Sequence, residues 1–144
     1  NYAESPYVVS KEGHMPTNPN CPLCPDNGKV DIIDETKDGY LVEARDQPVP
    51  GCFLIIPREH ITHISKLPPM WQVDLTDLLD SVPWYTREAD FNISLNQGKK
   101  AGQTLGHIHF WVFPRGDEQE GSVSYGKGAA TLLQLARTLD PVEI

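Results

Sequence analysis

The sequence has few basic residues, few cysteines and no long hydrophobic run. Twelve lysines and arginines stand against 20 aspartates and glutamates, which gives a formal net charge of -8 over 144 residues. Because this charge repels a polyanion, the composition argues against nonspecific binding to a nucleic-acid polymer. The apolar segments are too short to cross a bilayer, so no membrane anchor is predicted. We therefore expect a globular protein with a cytoplasmic location.

The cysteines are three in number, which does not suit the disulfide framework of a small secreted protein. Cys21 and Cys24 stand in Cys-Pro-Leu-Cys-Pro, a tight turn of the kind that presents two thiolates to one metal ion. The alternative is that both are reduced surface thiols. Cys52 opens the apolar run Cys52–Ile56, where a small buried residue is expected.

The length and the 39% apolar content predict one domain over residues 1–144. Residues 1–20 contain three prolines and no hydrophobic periodicity, which favours an irregular arm. Residues 116–144 form the C-terminal part, with a polar loop up to Gly128 and an amphipathic helix over Ala129–Leu139.

Alternating apolar residues between these ends predict about five strands. Two of them form a hairpin over residues 30–36 and 40–44, and the buried run 53–56 is a central strand that ends at Pro57. A helix begins after Pro68-Pro69 and ends before Pro83, since Trp71, Leu75, Leu78 and Leu79 recur at helical spacing. Residues 91–95 pair antiparallel with the strand that follows Gly102. The sequence thus predicts an α+β fold with an antiparallel meander sheet and two helices.

The strand after Gly102 carries two histidines in alternation with apolar residues. Successive side chains of a strand face opposite ways, so His107, His109 and Trp111 share one face and Ile108 turns to the core with its neighbours. Two histidines in this pattern are typical of a solvated face, of a metal pair or of a catalytic nucleophile. Neutral imidazole attacks phosphorus readily near pH 7, which makes the third interpretation chemically sound.

Polar groups flank this strand on both sides. Asn96, Gln103 and Thr104 can orient an imidazole or bind phosphate oxygens, and Gly98 and Gly102 allow backbone amides to approach an anion.

Three separated motifs resemble the histidine triad (HIT) family of nucleotide-binding hydrolases and transferases. The first is Asn96-Gln-Gly followed by Ala101-Gly-Gln-Thr-Leu-Gly-His-Ile-His109, and the second is Ile55-Ile-Pro-Arg-Glu-His60-Ile. The third, Cys21-x-x-Cys24, is similar to the zinc-bearing branch of the family. The motifs occur in the family's order and span about residues 21–115.

The resemblance implies a role for each matching residue. His109 corresponds to the family's nucleophile, which forms a nucleotidyl-histidine intermediate that water then cleaves. Asn96 and Gln103 correspond to groups around the nucleophile and the α-phosphate, and Thr104 to a hydroxyl that contacts phosphate. Asp46 corresponds to the carboxylate that holds the ribose hydroxyls, although on its residues alone it is a plain turn aspartate.

The resemblance also implies a structural zinc ion with four ligands, Cys21, Cys24, His60 and His107. Such a closed set leaves no open position for chemistry, so the metal pins the N-terminal arm to the sheet. His63 lies three residues from His60 and is the alternative ligand, but a solvated histidine is expected there.

Position 111, where the family carries its third histidine, is tryptophan. Trp111 still faces the site as a substrate-binding residue, with one N–H donor and no titratable nitrogen. Its larger ring can narrow the leaving-group side or stack on a base or sugar. Three outcomes follow from this substitution. The protein acts on conjugates whose leaving group needs no proton, it acts slowly on phosphoramidates, or it binds nucleotides and catalyses nothing.

The leading hypothesis is a nucleotide hydrolase or nucleotidyltransferase that acts on a purine ribonucleotide conjugate. The alternatives are a nucleotide-binding module with weak or no activity and a zinc-stabilised interaction domain. The resemblance also implies a homodimer formed through the helix after His60, and Trp71, Leu75 and Leu78 can serve either that interface or the chain's own sheet.

Overall fold

The computed structural model describes residues 17–45, 47 and 50–116, and these residues form an α+β fold. Its strands are β1 (Asp34–Glu35), β2 (Gly39–Glu43), β3 (Phe53–Pro57), β4 (Phe91–Leu95) and β5 (Phe110–Pro114), and its main helix is α1 (Trp71–Leu79). Short 3-10 turns lie at Pro25–Asn27, Ile64–Lys66 and Lys99–Ala101. The fold class predicted from the sequence is confirmed.

The five strands form one antiparallel sheet in the order β1-β2-β3-β5-β4. The first three strands follow one another as a meander. Strand β5 then pairs with β3 on one side and with β4 on the other, so the expected antiparallel pairing of β4 with β5 is confirmed. The order departs from a simple meander because the long connection that contains α1 carries the chain from β3 to the far edge of the sheet.

One face of the sheet packs against α1 and forms the main hydrophobic core. Proline is tolerated in the first turn of a helix, and α1 begins directly after the Pro68-Pro69-Met70 segment. The side chains of this core alternate with those of the opposite face, as the period of a strand requires. Its buried members are Leu41, Phe53, Ile55, Trp71, Leu78, Leu79, Val82, Phe110 and Val112.

The apolar stripe of α1 is used within the chain. Trp71 and Leu78 are buried against the sheet and Leu75 packs beside them. Met70 and Val73 are the exposed apolar residues of this segment, with 63% and 47% of their surface accessible. Only the exposed residues of α1 are therefore available to contact a second chain. The homodimer stays a prediction.

The opposite face of the sheet carries the N-terminal turn and the histidines. Here Cys21, Leu23 and Cys24 pack on the strand residues Tyr40 and Ile56. A smaller cluster of Ala44, Cys52 and Phe113 continues this layer, and Cys52 is fully buried as expected. The sheet thus has a core face toward α1 and a second face on which the chemically reactive side chains collect.

Two elements differ in extent from the sequence expectation. Strand β1 comprises only Asp34–Glu35, because pairing with β2 involves only the two residues beside the turn. Strand β5 begins at Phe110, so His107 and His109 lie in the segment just before it. In that segment Ile108 donates its backbone N–H to the carbonyl of Ile61 at 2.8 Å, outside the regular ladder. The predicted helix Ala129–Leu139 lies outside the described residues.

None of the helices in the described part of the chain has the length and apolar character that crossing a membrane requires.

Gly39 lies where β2 passes beneath α1, and this close approach predicts a stability effect. A Cβ atom on residue 39 would lie 2.9 Å from Cζ3 of Trp71 and 3.2 Å from Cδ1 of Leu78. We expect Gly39→Ala to lower the free energy of unfolding by about 1–3 kcal/mol, because overpacking forces the helix away from the sheet. Chemical denaturation measures this change.

The control is Gly106→Ala, since a Cβ atom on Gly106 meets nothing within 4 Å. It should change the free energy of unfolding by no more than about 0.5 kcal/mol. Equal effects of the two substitutions would contradict the packing argument.

Candidate functional site

Two cysteines and two histidines converge on the second face of the sheet. The ligand atoms of Cys21, Cys24, His60 and His107 all lie within 4.8 Å of one another, and all four residues are buried. Sγ of Cys24 is 3.2 Å from Nδ1 of His60 and 3.6 Å from Nδ1 of His107, and Sγ of Cys21 is 3.5 Å from Nδ1 of His107. Three separated segments of the chain thus supply one set of four donors.

The donor set fits a four-coordinate metal ion. Metal–sulfur and metal–nitrogen bonds of about 2.0–2.3 Å place neighbouring ligands of a tetrahedron roughly 3.3–3.8 Å apart. The three sulfur–nitrogen distances in this cluster fall in or next to that range. Thiolate and imidazole together are the ligands that structural zinc sites use. The arrangement therefore forms a candidate metal centre.

Hydrogen bonds fix the orientation of these ligands. The Nε2–H of His107 donates to the carbonyl of Pro57 at 2.6 Å, which turns Nδ1 toward the cysteines. The amide of Asn27 donates to the carbonyl of Cys21 at 2.7 Å, and the hydroxyl of Tyr40 donates to the carbonyl of Leu23. The Cys21–Cys24 turn is thus held by groups outside the donor set.

Burial changes the protonation of the cluster when no cation is beside it. It raises the pKa of the Cys24 thiol to about 12 and lowers the pKa of His107 to about 4. Burial also lowers the pKa of His60. A metal ion that binds here must displace the thiol protons, so its affinity depends on pH.

His109 lies beside this cluster but faces a different space. Its side chain is 8% exposed, and its Nδ1–H donates to the backbone carbonyl of His107 at 2.9 Å. Because a carbonyl only accepts, this bond places the proton on Nδ1 and leaves the lone pair on Nε2. Burial lowers the pKa of His109, so the ring is neutral near pH 7. A neutral imidazole with a directed lone pair is able to act as a nucleophile.

A cleft of about 640 Å³ opens in front of His109. Thr104, Leu105 and Trp111 line it near the imidazole, and Leu23 and Leu54 belong to its apolar wall. Charged residues of both signs also line the cleft, namely Lys29, Asp31, Glu43 and Arg45. Concave sites with an apolar wall and a few polar groups are typical of small-molecule binding.

The polar residues predicted around His109 occupy different positions. Thr104 is exposed and lines the cleft. Gln103 instead braces the preceding loop, since its Oε1 accepts from the Gly98 N–H at 2.7 Å and its Nε2 donates to the carbonyls of Leu105 and Gly106 at 2.9 and 3.1 Å.

Asn96 follows the last residue of β4 and is 95% buried, with 5% of its surface exposed. Its Oδ1 has no hydrogen-bond partner among the described residues. A buried carbonyl oxygen without a hydrogen-bond partner lowers stability unless a further group reaches it.

Asp46 and His14 lie outside the described residues. His63 is exposed and accepts from the Ser65 N–H at the start of a 3-10 turn, away from the donor set.

Sequence reasoning missed the residues that position this site without touching its centre. Tyr40 and Asn27 hold the cysteine turn, as described above. Gln97 joins two loops, because its Nε2 donates to the Thr62 carbonyl at 3.1 Å and its Oε1 accepts from the Ile64 N–H at 2.8 Å. The position of Gln97 between a strand and a glycine could have indicated a structural role. Its partners could not be predicted, because they lie more than 30 positions away in the sequence.

Comparison with known proteins places this site in a family. The model of the HIT domain matches residues 27–118, more than half of the chain. The chain belongs to the HIT family. Among curated relatives, the adenosine 5'-monophosphoramidase of Saccharomyces cerevisiae is 28% identical over 62% of this chain and 56% of its own length. An asymmetrical bis(5'-nucleosyl)-tetraphosphatase of Schizosaccharomyces pombe is 31% identical over 55% of this chain and 47% of its own. The chain spans about half the length of these relatives.

Solved HIT structures share the fold. A zinc-bound histidine triad family protein from Mycobacterium smegmatis has a TM-score of 0.59 and 26% identity, with 86% of this chain and 98% of that chain covered. A HIT family protein from Bacillus anthracis, at 22% identity, gives the same TM-score over 88% of this chain and 98% of its own.

The four-donor cluster predicts a metal-dependent stability. We expect the purified protein to contain about one metal ion per chain and Cys24→Ala to lose it, because three remaining donors bind far more weakly. Elemental analysis of the dialysed protein measures the metal, and thermal unfolding should show a lower Tm for the variant.

The matched control is Cys52→Ala, since Cys52 is also a buried cysteine but belongs to a different cluster. It should keep the metal. Loss of metal in both variants, or in neither, would rule out a centre formed by the four donors.

Proposed function

We propose that this HIT protein is a nucleotide hydrolase or nucleotidyltransferase that acts at the α-phosphate of a purine ribonucleotide conjugate. The observation that carries the proposal is the tautomer of His109, whose Nδ1–H is held by a carbonyl and whose Nε2 is left for the cleft. The relatives named as adenosine 5'-monophosphoramidase and dinucleoside tetraphosphatase support a nucleotide as the substrate.

In the proposed reaction the lone pair of His109 Nε2 attacks the α-phosphorus. A phosphorus–nitrogen bond forms as the bond to the leaving group breaks, which gives a nucleotidyl-histidine. Water then attacks the same phosphorus, the nitrogen recovers its electron pair and the water proton passes to solvent. Because Nδ1 stays hydrogen-bonded to the carbonyl of His107, the positive charge of the substituted imidazole is stabilised through that bond.

Other residues of the site bind the substrate or position the catalytic groups in this proposal. The hydroxyl of Thr104, at the cleft, binds a phosphate oxygen. We assign Asn96 to the surroundings of the nucleophile on the strength of the family resemblance and of its buried amide, whose Oδ1 has no hydrogen-bond partner among the described residues. Gln103 acts on the backbone of the loop that carries Thr104. We assign the ribose hydroxyls to Asp46 on the strength of the family resemblance.

We also infer that the metal is zinc and that Cys21, Cys24, His60 and His107 hold it. The Cys2His2 composition and the zinc-bound relative from Mycobacterium smegmatis support this inference. When bound, the ion supplies structural stabilisation to the Cys21–Cys24 turn and the sheet. No chemical step is assigned to it, since four protein donors complete its coordination.

A second candidate function is a nucleotide-binding module without chemistry. The observation that favours it is Trp111, which stands beside His109 and carries no titratable nitrogen. This candidate predicts ordinary affinity for adenosine monophosphate and no covalent product. The homodimer, inherited from the family resemblance, is compatible with both candidates.

The nucleophile is tested with a covalent adduct. On incubation with a diadenosine polyphosphate or an ester of adenosine 5'-monophosphate, we expect the intact mass of the protein to rise by one adenylyl group. We expect His109→Ala to abolish the adduct and to lower kcat/KM by at least about 10³-fold, because the attacking atom is removed.

The comparison variant is His63→Ala, whose imidazole is exposed and outside the cleft. It should form the adduct as the unmodified protein does. Nucleotide binding with neither adduct nor turnover would favour the binding module, and absence of binding would reject both candidates.

A further inference from the structure

Trp111 is the side chain that follows His109 on the functional face of the sheet. The two rings have centroids 6.4 Å apart. On its other side Trp111 stacks on Phe113, with centroids 5.3 Å apart and ring planes only 2° from parallel. This stacking holds the indole in place as a wall of the cleft.

The residues opposite Trp111 on the two neighbouring strands cannot act as general acids. Its cross-strand partners are Leu54 of β3 and Ser94 of β4. Neither side chain titrates near neutral pH, and the indole N–H only donates a hydrogen bond. Among the described residues, neither cross-strand neighbour of Trp111 can therefore protonate a departing atom.

Titratable groups do line the described part of the cleft, and two of them are hydrogen-bonded to other residues of its lining. Glu43 accepts a hydrogen bond from the amide of Gln47 at 2.9 Å, and Arg45 donates to the carbonyl of Lys29 at 2.7 Å. Lys29 and Asp31 are both exposed. Glu43 is the last residue of β2, Arg45 follows two positions later, and the other two groups precede β1. Strands β1 and β2 lie on the other side of β3 from Trp111 in the strand order.

We propose that Trp111 lies beside the leaving group and restricts the substrates to conjugates whose leaving group departs as an anion without a proton, such as a phosphate. This inference rests on the proposed nucleotidyl transfer through His109. In the restricted step Nε2 forms its bond to phosphorus, the phosphorus–oxygen bond breaks, and the electron pair stays on the leaving oxygen. No proton crosses to that oxygen. Amine leaving groups, which must be protonated to depart, are poor substrates.

Two substrates with one nucleotide and different leaving groups test this selectivity. The para-nitrophenyl and the phenyl ester of adenosine 5'-monophosphate differ in the basicity of the departing phenolate. Their kcat/KM values report the steps through departure of this first leaving group. A general acid is worth about 10²–10⁴-fold, so we expect the unmodified protein to favour the para-nitrophenyl ester by at least about 100-fold.

Two substitutions of Trp111 distinguish the effect of a proton donor on this selectivity from the effect of side-chain size. Trp111→His introduces a titratable nitrogen and should compress the ratio of the two kcat/KM values by about 10- to 100-fold. Trp111→Phe keeps an aromatic ring without such a nitrogen and should retain the unmodified protein's ratio. Ile93→Ala, on β4 but on the opposite face from Ser94, is the control for general disturbance of the sheet.

The outcomes distinguish this inference from the proposed function. A ratio near one in the unmodified protein, or equal compression by Trp111→His and Trp111→Phe, would overturn the inference while leaving nucleotidyl transfer intact. Failure to release para-nitrophenol together with absence of a His109 adduct would reject the proposed function and this inference with it. A high ratio that only Trp111→His compresses supports the inference.

Discussion

The hydrogen bond from His109 Nδ1 to the carbonyl of His107 joins the two parts of the functional face. It is 2.9 Å long and connects residues two positions apart in the chain. The ring of His107 belongs to the Cys2His2 cluster, and its backbone carbonyl orients the imidazole that faces the cleft. One residue therefore belongs to the candidate metal centre through its side chain and acts as a positioning group through its backbone. Whatever fixes His107 also fixes the tautomer of His109.

The rest of the structure keeps that residue in place. The Nε2–H of His107 is bonded to the Pro57 carbonyl at the end of β3, and Ile108 is bonded through its backbone to Ile61 and fully buried. The helix α1 packs on the opposite face of the sheet, so the main core supports the histidine segment from behind. The cysteine turn covers it from the front. The histidine segment is thus enclosed on both sides although it lies outside a regular strand. This enclosure explains how an irregular segment keeps His109 in one tautomer.

The alternation in the sequence was sufficient to predict the division between these two faces. Phe110 and Val112 are in the core, and Trp111 faces the other way with His109, as the period of a strand requires. The family resemblance correctly grouped Cys21 and Cys24 with two histidines from distant segments. Periodicity alone contains no information on such a grouping, because it describes one segment at a time and not which segments meet.

Other features depend on tertiary contacts that local pattern does not encode. The order of β4 and β5 follows from the path of the connection through α1, and a simple meander was the default expectation. Gln103 matched a motif position, but its three hydrogen bonds go to the backbone of its own loop. An amide in a glycine-rich loop predicts a polar contact without indicating its partner. Which residues belong to a site is therefore easier to predict from the sequence than which contacts each of them makes.

Residue 111 shows how packing and chemistry compete at one position. An imidazole at this position would be smaller than an indole and would cover less of Phe113, whereas Trp111 stacks on that ring in parallel planes. Aromatic pairs of this kind contribute about 0.5–1.5 kcal/mol beyond their buried area. The stack stabilises the end of β5 and fixes the wall of the cleft next to His109, but the same ring cannot supply a proton. In the proposed reaction, a site built this way gains a rigid surface and depends on the substrate to provide a leaving group that is stable as an anion.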